Sequence, residues 1–468
     1  MNQADTPFQA LRQSADEAAV AAIEQLVREA PDHALYRTNA LAFAARNGLD
    51  EEPVIAAFLH AARLGLFELS WNVLCPGCGG VLDAGTTLKT VNRAEYSCAL
   101  CAAGYEPTLD EMVEVTFTVS PRVRRVAAHD PNSLPMWDYC RQIFWGSGVD
   151  LPNDLQGIID EITLEAIELP PGEKALLALQ LPAKFVIVFD PVTHATQFLD
   201  IKGEPTRERQ NLSLVFDQVH AANETLEMRP GPLRLSLENR CDVRVLPGVW
   251  VADERLHDLL GHRRPFLTAK RLLTNQTFRD IYRTDTLDVD QRLKITSLTF
   301  LFTDLRGSTE LYERIGDLAA FDLARAHFRV LTEIVAAEAG AVVKTIGDAV
   351  MATFPTPDRA VAAALRMRDA MQSLNDEQRR EDLLLKIGIH EGPCLAVTLN
   401  DRQDYFGQTV NIAARVQGLA VSRSIFATGA VIENAESSRL LDRRGLKPIP
   451  QRAALRGIAD EMAVYELP

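Results

Sequence analysis

Phe302-Thr303-Asp304-Leu305-Arg306-Gly307-Ser308-Thr309 closes an apolar run with a single aspartate and opens a helix behind a glycine. The same economy returns at Lys344-Thr345-Ile346-Gly347-Asp348, where Gly-Asp turns one β-branched run back toward the next. A third stretch, Asp404-Tyr405-Phe406-Gly407-Gln408-Thr409-Val410-Asn411-Ile412-Ala413-Ala414-Arg415, follows downstream. Around these stretches strand and helix patterns alternate. Strands are expected over 297–302, 383–392, 395–399 and 424–428, and a hairpin over 341–354. Helices are expected across 309–339, 358–374 and 409–419. That order predicts an α+β layer of ferredoxin-like type.

Asp304 stands at a strand end, just before Gly307, Ser308 and Thr309. Glycine lets a backbone approach closely, and a helix N-terminus offers free N–H groups and a positive dipole end, so phosphate fits there. Asp348, in a turn between strands, presents its carboxylate outward. Two carboxylates on neighbouring strand ends suit a pair of Mg2+ or Mn2+ ions about 4 Å apart. Each aspartate alone also reads as ordinary local chemistry, Gly-Asp as a hairpin turn and Phe-Thr-Asp as a helix cap. Asn411 and Arg415 shift that balance. Four residues apart on a helix they share one face, yet they interrupt the apolar run of Val410, Ile412, Ala413, Ala414 and Val416. Behind a glycine-containing loop they suit a ribose and the charge on a transferring phosphoryl group.

Taken together, residues 291–468 resemble the catalytic domain of class III nucleotidyl cyclases, the adenylate and guanylate cyclases. The resemblance implies a ferredoxin-like domain acting as a homodimer with its active sites at the interface. It implies that Asp304 and Asp348 hold two metal ions, that Lys344 and Asp404 read the base, that Asn411 positions the ribose, and that Arg415 stabilises the transition state. Arg456, in Leu455-Arg456-Gly457, falls where the family often has a triphosphate-binding lysine; arginine keeps the charge and changes its geometry.

The base follows from donor and acceptor chemistry. Adenine presents an acceptor at N1 and a donor at N6, and Lys344 offers only donors while Asp404 offers only acceptors. Guanine reverses both positions, and such buried mismatches discriminate by roughly ten-thousand-fold. Guanylate cyclases usually hold a Glu and a Cys or Ser at the two positions. The expectation is therefore an adenylate cyclase that converts ATP to 3′,5′-cyclic AMP and pyrophosphate. A guanylate cyclase and a catalytically silent cyclase-like regulator are the alternatives.

The rest of the chain narrows the setting. With 468 residues and 47% apolar content it can bury two or three cores. A net charge of −15 argues against nucleic-acid and anionic-membrane partners, which call for basic surface. The N-terminus has no cationic segment before an apolar one, and no run of eighteen apolar residues occurs, so a cytoplasmic protein is expected. Seven cysteines, an odd number, fit a reducing compartment. Four of them form Cys75-Pro-Gly-Cys78 and Cys98-Ala-Leu-Cys101, with nineteen residues between the pairs. That is zinc-ribbon spacing, and four thiolates close a structural Zn2+ site; a redox-sensing thiol set is the alternative. The segments expected are a helical 1–70, a ribbon over 71–106, a β-rich regulatory domain over 107–251, a helical connector over 252–290 broken at Pro265, and the domain from 291. The β-rich part is similar to uncharacterised amino-terminal regions of some bacterial class III cyclases.

Overall fold

The computed structural model describes residues 5–152, 154–217, 224–283, 287–288, 290–378, 384–420, 424–458 and 460–468. The chain divides into two compact units. One comprises Met1–Thr86, Arg93–Pro107 and Met112–Leu267; the other comprises Thr87–Asn92, Thr108–Glu111 and Thr268–Pro468.

The first unit begins with helices Asp5–Ser14, Glu17–Glu29, Ala40–Asn47 and Glu51–Arg63. Their starts are written locally: Asp16 accepts from the Ala19 N–H, and Asn39 accepts from those of Leu41 and Ala42. Val20, Ile23, Ile55 and Phe58 are fully buried, and Phe58 stacks on Phe117 with centroids 5.0 Å apart. Phe67–Leu74 is the central strand of three, between Val81–Gly85 and Val113–Val119. That strand begins inside the segment the sequence reads as helical. The β-rich remainder has a five-stranded and a three-stranded sheet sharing one core of Leu179, Val186, Val188, Leu199, Leu235 and Leu237. Among the described residues no helix is long and apolar enough to cross a membrane.

The second unit is an eight-stranded sheet with helices packed on it. Its strands are β1 (Leu293–Leu305), β2 (Ala341–Ile346), β3 (Ala349–Phe354), β4 (Leu385–Leu399), β5 (Arg402–Phe406), β6 (Ile425–Thr428), β7 (Ile449–Ala453) and β8 (Met462–Leu467). They run in the order β2-β3-β1-β4-β6-β8-β7, with β5 paired to β4. The helices are α1 (Ser308–Ile315), α2 (Asp317–Ala337), α3 (Pro357–Gln378), α4 (Gln408–Gln417) and α5 (Ala435–Arg444). Leu301, Val350, Ile387 and Ile389 of the sheet pack with Leu331 and Val335 of α2 and Ala364 and Met367 of α3. Each large side chain in such a core contributes about 1.5–3 kcal/mol.

Three features depart from the sequence expectation. The two strands expected at 383–392 and 395–399 are one strand, β4; residue 383 lies outside the described residues. Pro393 does not end it because β1 bulges there, the register jumping from Ile295↔Cys394 to Leu298↔Gly392, so no ladder N–H is needed at 393. The bulge frees the N–H groups of Thr296 and Ser297, and both donate to Asp110, at 3.1 and 3.2 Å. Asp110 thus belongs to the sheet of a unit that begins some 180 residues later by the sequence reading. Thr108 bridges Lys294 in the same way, and the Gln291 amide donates to Val91 O at 2.7 Å. The connector, read as two helices, is three: Glu254–Gly261, Ala269–Leu273 and Gln276–Ile281. Thr268 and Asn275 each cap a new start, accepting from the N–H groups of Arg271 and Phe278.

Candidate active site

β1 carries Asp304 to its edge, and the β2–β3 hairpin carries Asp348 to meet it. Gly347 turns that hairpin at φ 63°, where side chains other than glycine are strained. Asp348 Oδ2 then accepts from the Leu305 N–H at 3.2 Å, which fixes its carboxylate beside the residue following Asp304. Across the sheet Asp304 faces Lys386 of β4, with Nζ 3.5 Å from Oδ2. Both carboxylates are half-buried, and the ammonium answers only part of their charge. Oxygen donors with a charge surplus fit a hard divalent cation. Gly307 bends the chain at φ 66°, and Ser308 begins α1. The side chain of Thr309 lies outside the described residues.

Lys344 of β2 and Asp404 of β5 meet at 2.5 Å. Asp404 is the buried partner, 10% exposed against 42% for Lys344, and its second oxygen accepts from the Tyr405 N–H at 2.8 Å. Arg279, from the helix Gln276–Ile281, braces both strands at this point. Its guanidinium donates to Val343 O at 3.4 Å and Gln403 O at 3.0 Å, one residue before Lys344 and Asp404. Gln276 accepts from the Val342 N–H at 2.8 Å. A cavity of about 400 Å³ opens beside this brace, lined by Phe278, Arg279, Tyr282 and Arg402 among others.

Asn411 is exposed and Arg415 half-buried, one turn apart on α4. A Cβ at Gly457 would stand 3.5 Å from Arg415 Nη2, so the Arg415 guanidinium lies against the Arg456–Gly457 turn. Among the described residues no hydrogen bond or ion pair joins Asp304 and Asp348 to the Lys344–Asp404 pair.

Sequence reasoning passed over Lys386, Arg279 and His327. Lys386 is recognisable only once strand register is known. Arg279 sits in what reads as a linker. His327, fully buried on α2, is hidden in an apolar stripe. Burial pushes its imidazole down to about 4 against the pull of Asp348, so it stands neutral behind that carboxylate.

The cysteines converge in the first unit. Cys75 and Cys78 follow strand Phe67–Leu74; Cys98 and Cys101 flank the turn between Tyr96–Cys98 and Ala103–Tyr105. Cys75 Sγ lies 3.6 Å from Cys101 Sγ, and Cys78 Sγ lies 3.7 Å from Cys98 Sγ. All four sulfurs lie within 4.8 Å of one another. The spacing is far beyond a disulfide. It matches the roughly 3.8 Å that a tetrahedron with 2.3 Å metal–sulfur bonds sets between sulfurs. The Gly80 N–H donates to Cys78 Sγ at 3.4 Å. Gly77 leaves room for the cluster, since a Cβ there would press to 2.9 Å on Cys101 Sγ. The shared contacts push the Cys75 thiol down and the Cys78 thiol up.

Comparison with known proteins separates the two parts of the chain. Residues 1–280 match a family of unknown function, DUF5939, and residues 291–465 match the adenylate and guanylate cyclase catalytic domain. An adenylate cyclase of Anabaena cylindrica is 28% identical over 185 residues, covering 36% of this chain and 36% of that protein. Adenylate cyclase 2 of Rhizobium meliloti is 35% identical over 132 residues, covering 26% of this chain and 36% of that one. The chain thus spans about a third of the length of these relatives. A solved adenylyl cyclase from P. aeruginosa is 24% identical, covering 38% of this chain and 96% of that one at a TM-score of 0.34.

Proposed function

Because the chain belongs to the DUF5939 family and carries an adenylate and guanylate cyclase catalytic domain over residues 291–465, we propose that it converts ATP to 3′,5′-cyclic AMP and pyrophosphate. The observation that carries the choice of base is the Lys344–Asp404 pair at 2.5 Å, a donor and an acceptor held side by side for N1 and N6 of adenine. Asp304 and Asp348 would hold Mg2+ or Mn2+, two ions per centre, which supply activation of the ribose 3′-hydroxyl and neutralisation of the leaving phosphates. Asn411 orients the ribose. Arg415 and Arg456 meet the triphosphate, and Arg415 answers charge developing on the α-phosphoryl group. The N–H groups opening α1 at Gly307, Ser308 and Thr309 take phosphate oxygens. The ribose 3′-hydroxyl releases its proton to water, and its oxygen forms a bond to the α-phosphorus as the bond to the β-phosphate oxygen breaks, pyrophosphate leaving with that electron pair.

The centre is built by two copies in this reading, Asp304 and Asp348 from one and Lys344, Asp404, Asn411 and Arg415 from the other. The surface beside these residues supports it: Ile346, Leu399 and Phe406 are 55%, 47% and 64% exposed, an apolar set suited to an interface. The amino-terminal half is the regulatory input, with structural Zn2+ on its four cysteines, and free ATP and reduced thiols fit the cytoplasm.

The test is product formation by the purified full-length chain given ATP or GTP with Mg2+ or Mn2+. Cyclic AMP in large excess over cyclic GMP is expected. Cyclic GMP in excess overturns the base assignment, and no product in any combination favours the silent regulator. Arg279→Ala gives a finer expectation. Freed from the brace, Lys344 and Asp404 lose their set positions, and kcat/KM for ATP falls about tenfold, through KM more than kcat. Unchanged steady-state constants would remove Arg279 from the account.

A further inference from the structure

The first unit holds a cavity of about 190 Å³ whose chemistry runs against the rest of the chain. The protein carries a net charge of −15, yet this cavity is lined by four arginines, Arg37, Arg46, Arg141 and Arg264, with His33, and by no carboxylate. We propose that this cavity is a binding site for a small oxyanion, a compound carrying a phosphate or carboxylate group.

The arginines come from far apart in sequence and are individually held. Arg37 sits at φ 47°, a left-handed backbone that its surroundings impose. Its N–H donates to Thr118 Oγ1 at 3.0 Å, and its guanidinium bonds to Ile143 O. Arg264 donates from Nε to Ser147 O at 2.8 Å, and Arg141 donates from Nη2 to Pro152 O at 2.9 Å. Residues 140–144 form a π-helical turn, a rare geometry common at functional sites, and it places Arg141 and Gln142 on the same wall. The Arg37 and Arg264 guanidinia each have five N–H donors, more than these backbone bonds use.

The countercharge comes from outside the lining, where Asp138 and Asp32 act on His33 against Arg141 and Arg46. Asp150 pairs with Arg264 at 3.4 Å from outside the lining. Glu114, fully buried behind it, accepts from Ser147 N and Oγ at 2.9 Å each. Burial raises the carboxyl of Glu114 against the pull of Arg37, which weakens it as a counterion. Arg46 forms no ion pair among the described residues, and its Nε donates to Ala42 O on its own helix. The volume lies below the roughly 300 Å³ where drug-sized ligand sites begin, so the occupant is a small metabolite and not a nucleotide or a polymer.

The test is calorimetric titration of the full-length protein, at constant ionic strength, with inorganic phosphate, glycerol 3-phosphate and succinate. Saturable binding of at least one probe is expected, weakened about tenfold by Arg46→Ala, which removes one charge-assisted donor, and further by Arg46→Glu, which reverses the charge. Arg46→Lys should restore part of the loss. Neither substitution touches the cyclase residues, so ATP turnover without ligand stays unchanged. Absence of saturable binding up to tens of millimolar, or binding indifferent to both substitutions, overturns the proposal.

Discussion

Asp348→Ala is expected to lower cyclic AMP formation by about a thousandfold or more while leaving the fold intact. The two effects separate because of where the side chain sits. Its carboxylate is half-exposed at a hairpin turn, and among the described residues it accepts one hydrogen bond, from the Leu305 N–H. Losing that bond costs about 1 kcal/mol, a few degrees of Tm at most for a domain of this size. On the proposed metal assignment, losing one of the two carboxylates would remove the charge that activates the attacking hydroxyl. Asp304→Ala should behave alike, except that Lys386 is then left without its partner across the sheet. Turnover within tenfold of the parent protein in the Asp348 variant would contradict the metal assignment. A large drop in Tm with lost turnover would make the residue structural.

The second large effect belongs to the four cysteines. The purified protein should contain one Zn2+ per chain by elemental analysis, and Cys78→Ser should lose the metal and unfold the first unit well below the parent Tm. The cluster's own core is thin: three buried cysteines with Leu82, Leu100, Tyr105 and Leu260 around them. A core so small does not hold two short hairpins without help. Structural zinc supplies apparent binding free energies of about 10–16 kcal/mol in small peptides, which is folding free energy where the site forms only on folding. Protein that is metal-free and thermally unchanged would contradict the assignment, and a metal released by mild oxidation would favour the redox alternative.

The contrast between what the sequence made visible and what it hid is one of range. Asp304, Asp348 and the cysteine pairs were legible because each depends on neighbours within a few residues: a strand end, a glycine turn, a two-residue spacer. Lys344 and Asp404 were legible through the resemblance, and their contact supplies a geometric partner to it. Lys386, Arg279 and the lining arginines of the basic cavity were not, since their roles depend on contacts between remote parts of the chain. Arg37 and Arg264 line one cavity from more than two hundred residues apart, with no pattern joining them. The fold followed the same rule. Strongly periodic elements such as α3 and the β2–β3 hairpin were readable. The single strand β4 was misread at Pro393 because its tolerance rests on a bulge in β1 whose open N–H groups Asp110 satisfies. β7, β8 and α5 were missed because few residues there are buried, so their apolar spacing is faint.

The central claim is that one catalytic centre takes its metal carboxylates from one copy and its base-reading and phosphoryl-stabilising residues from another. The most direct measurement is complementation between two inactive variants, Asp348→Ala and Arg415→Ala, mixed in equal amounts and assayed for cyclic AMP. Random pairing makes half the dimers mixed, and each mixed dimer has one centre with every residue intact, so about a quarter of the parent activity should return. A mixture as inactive as either variant alone, from a parent protein that is active and dimeric, would contradict the shared centre.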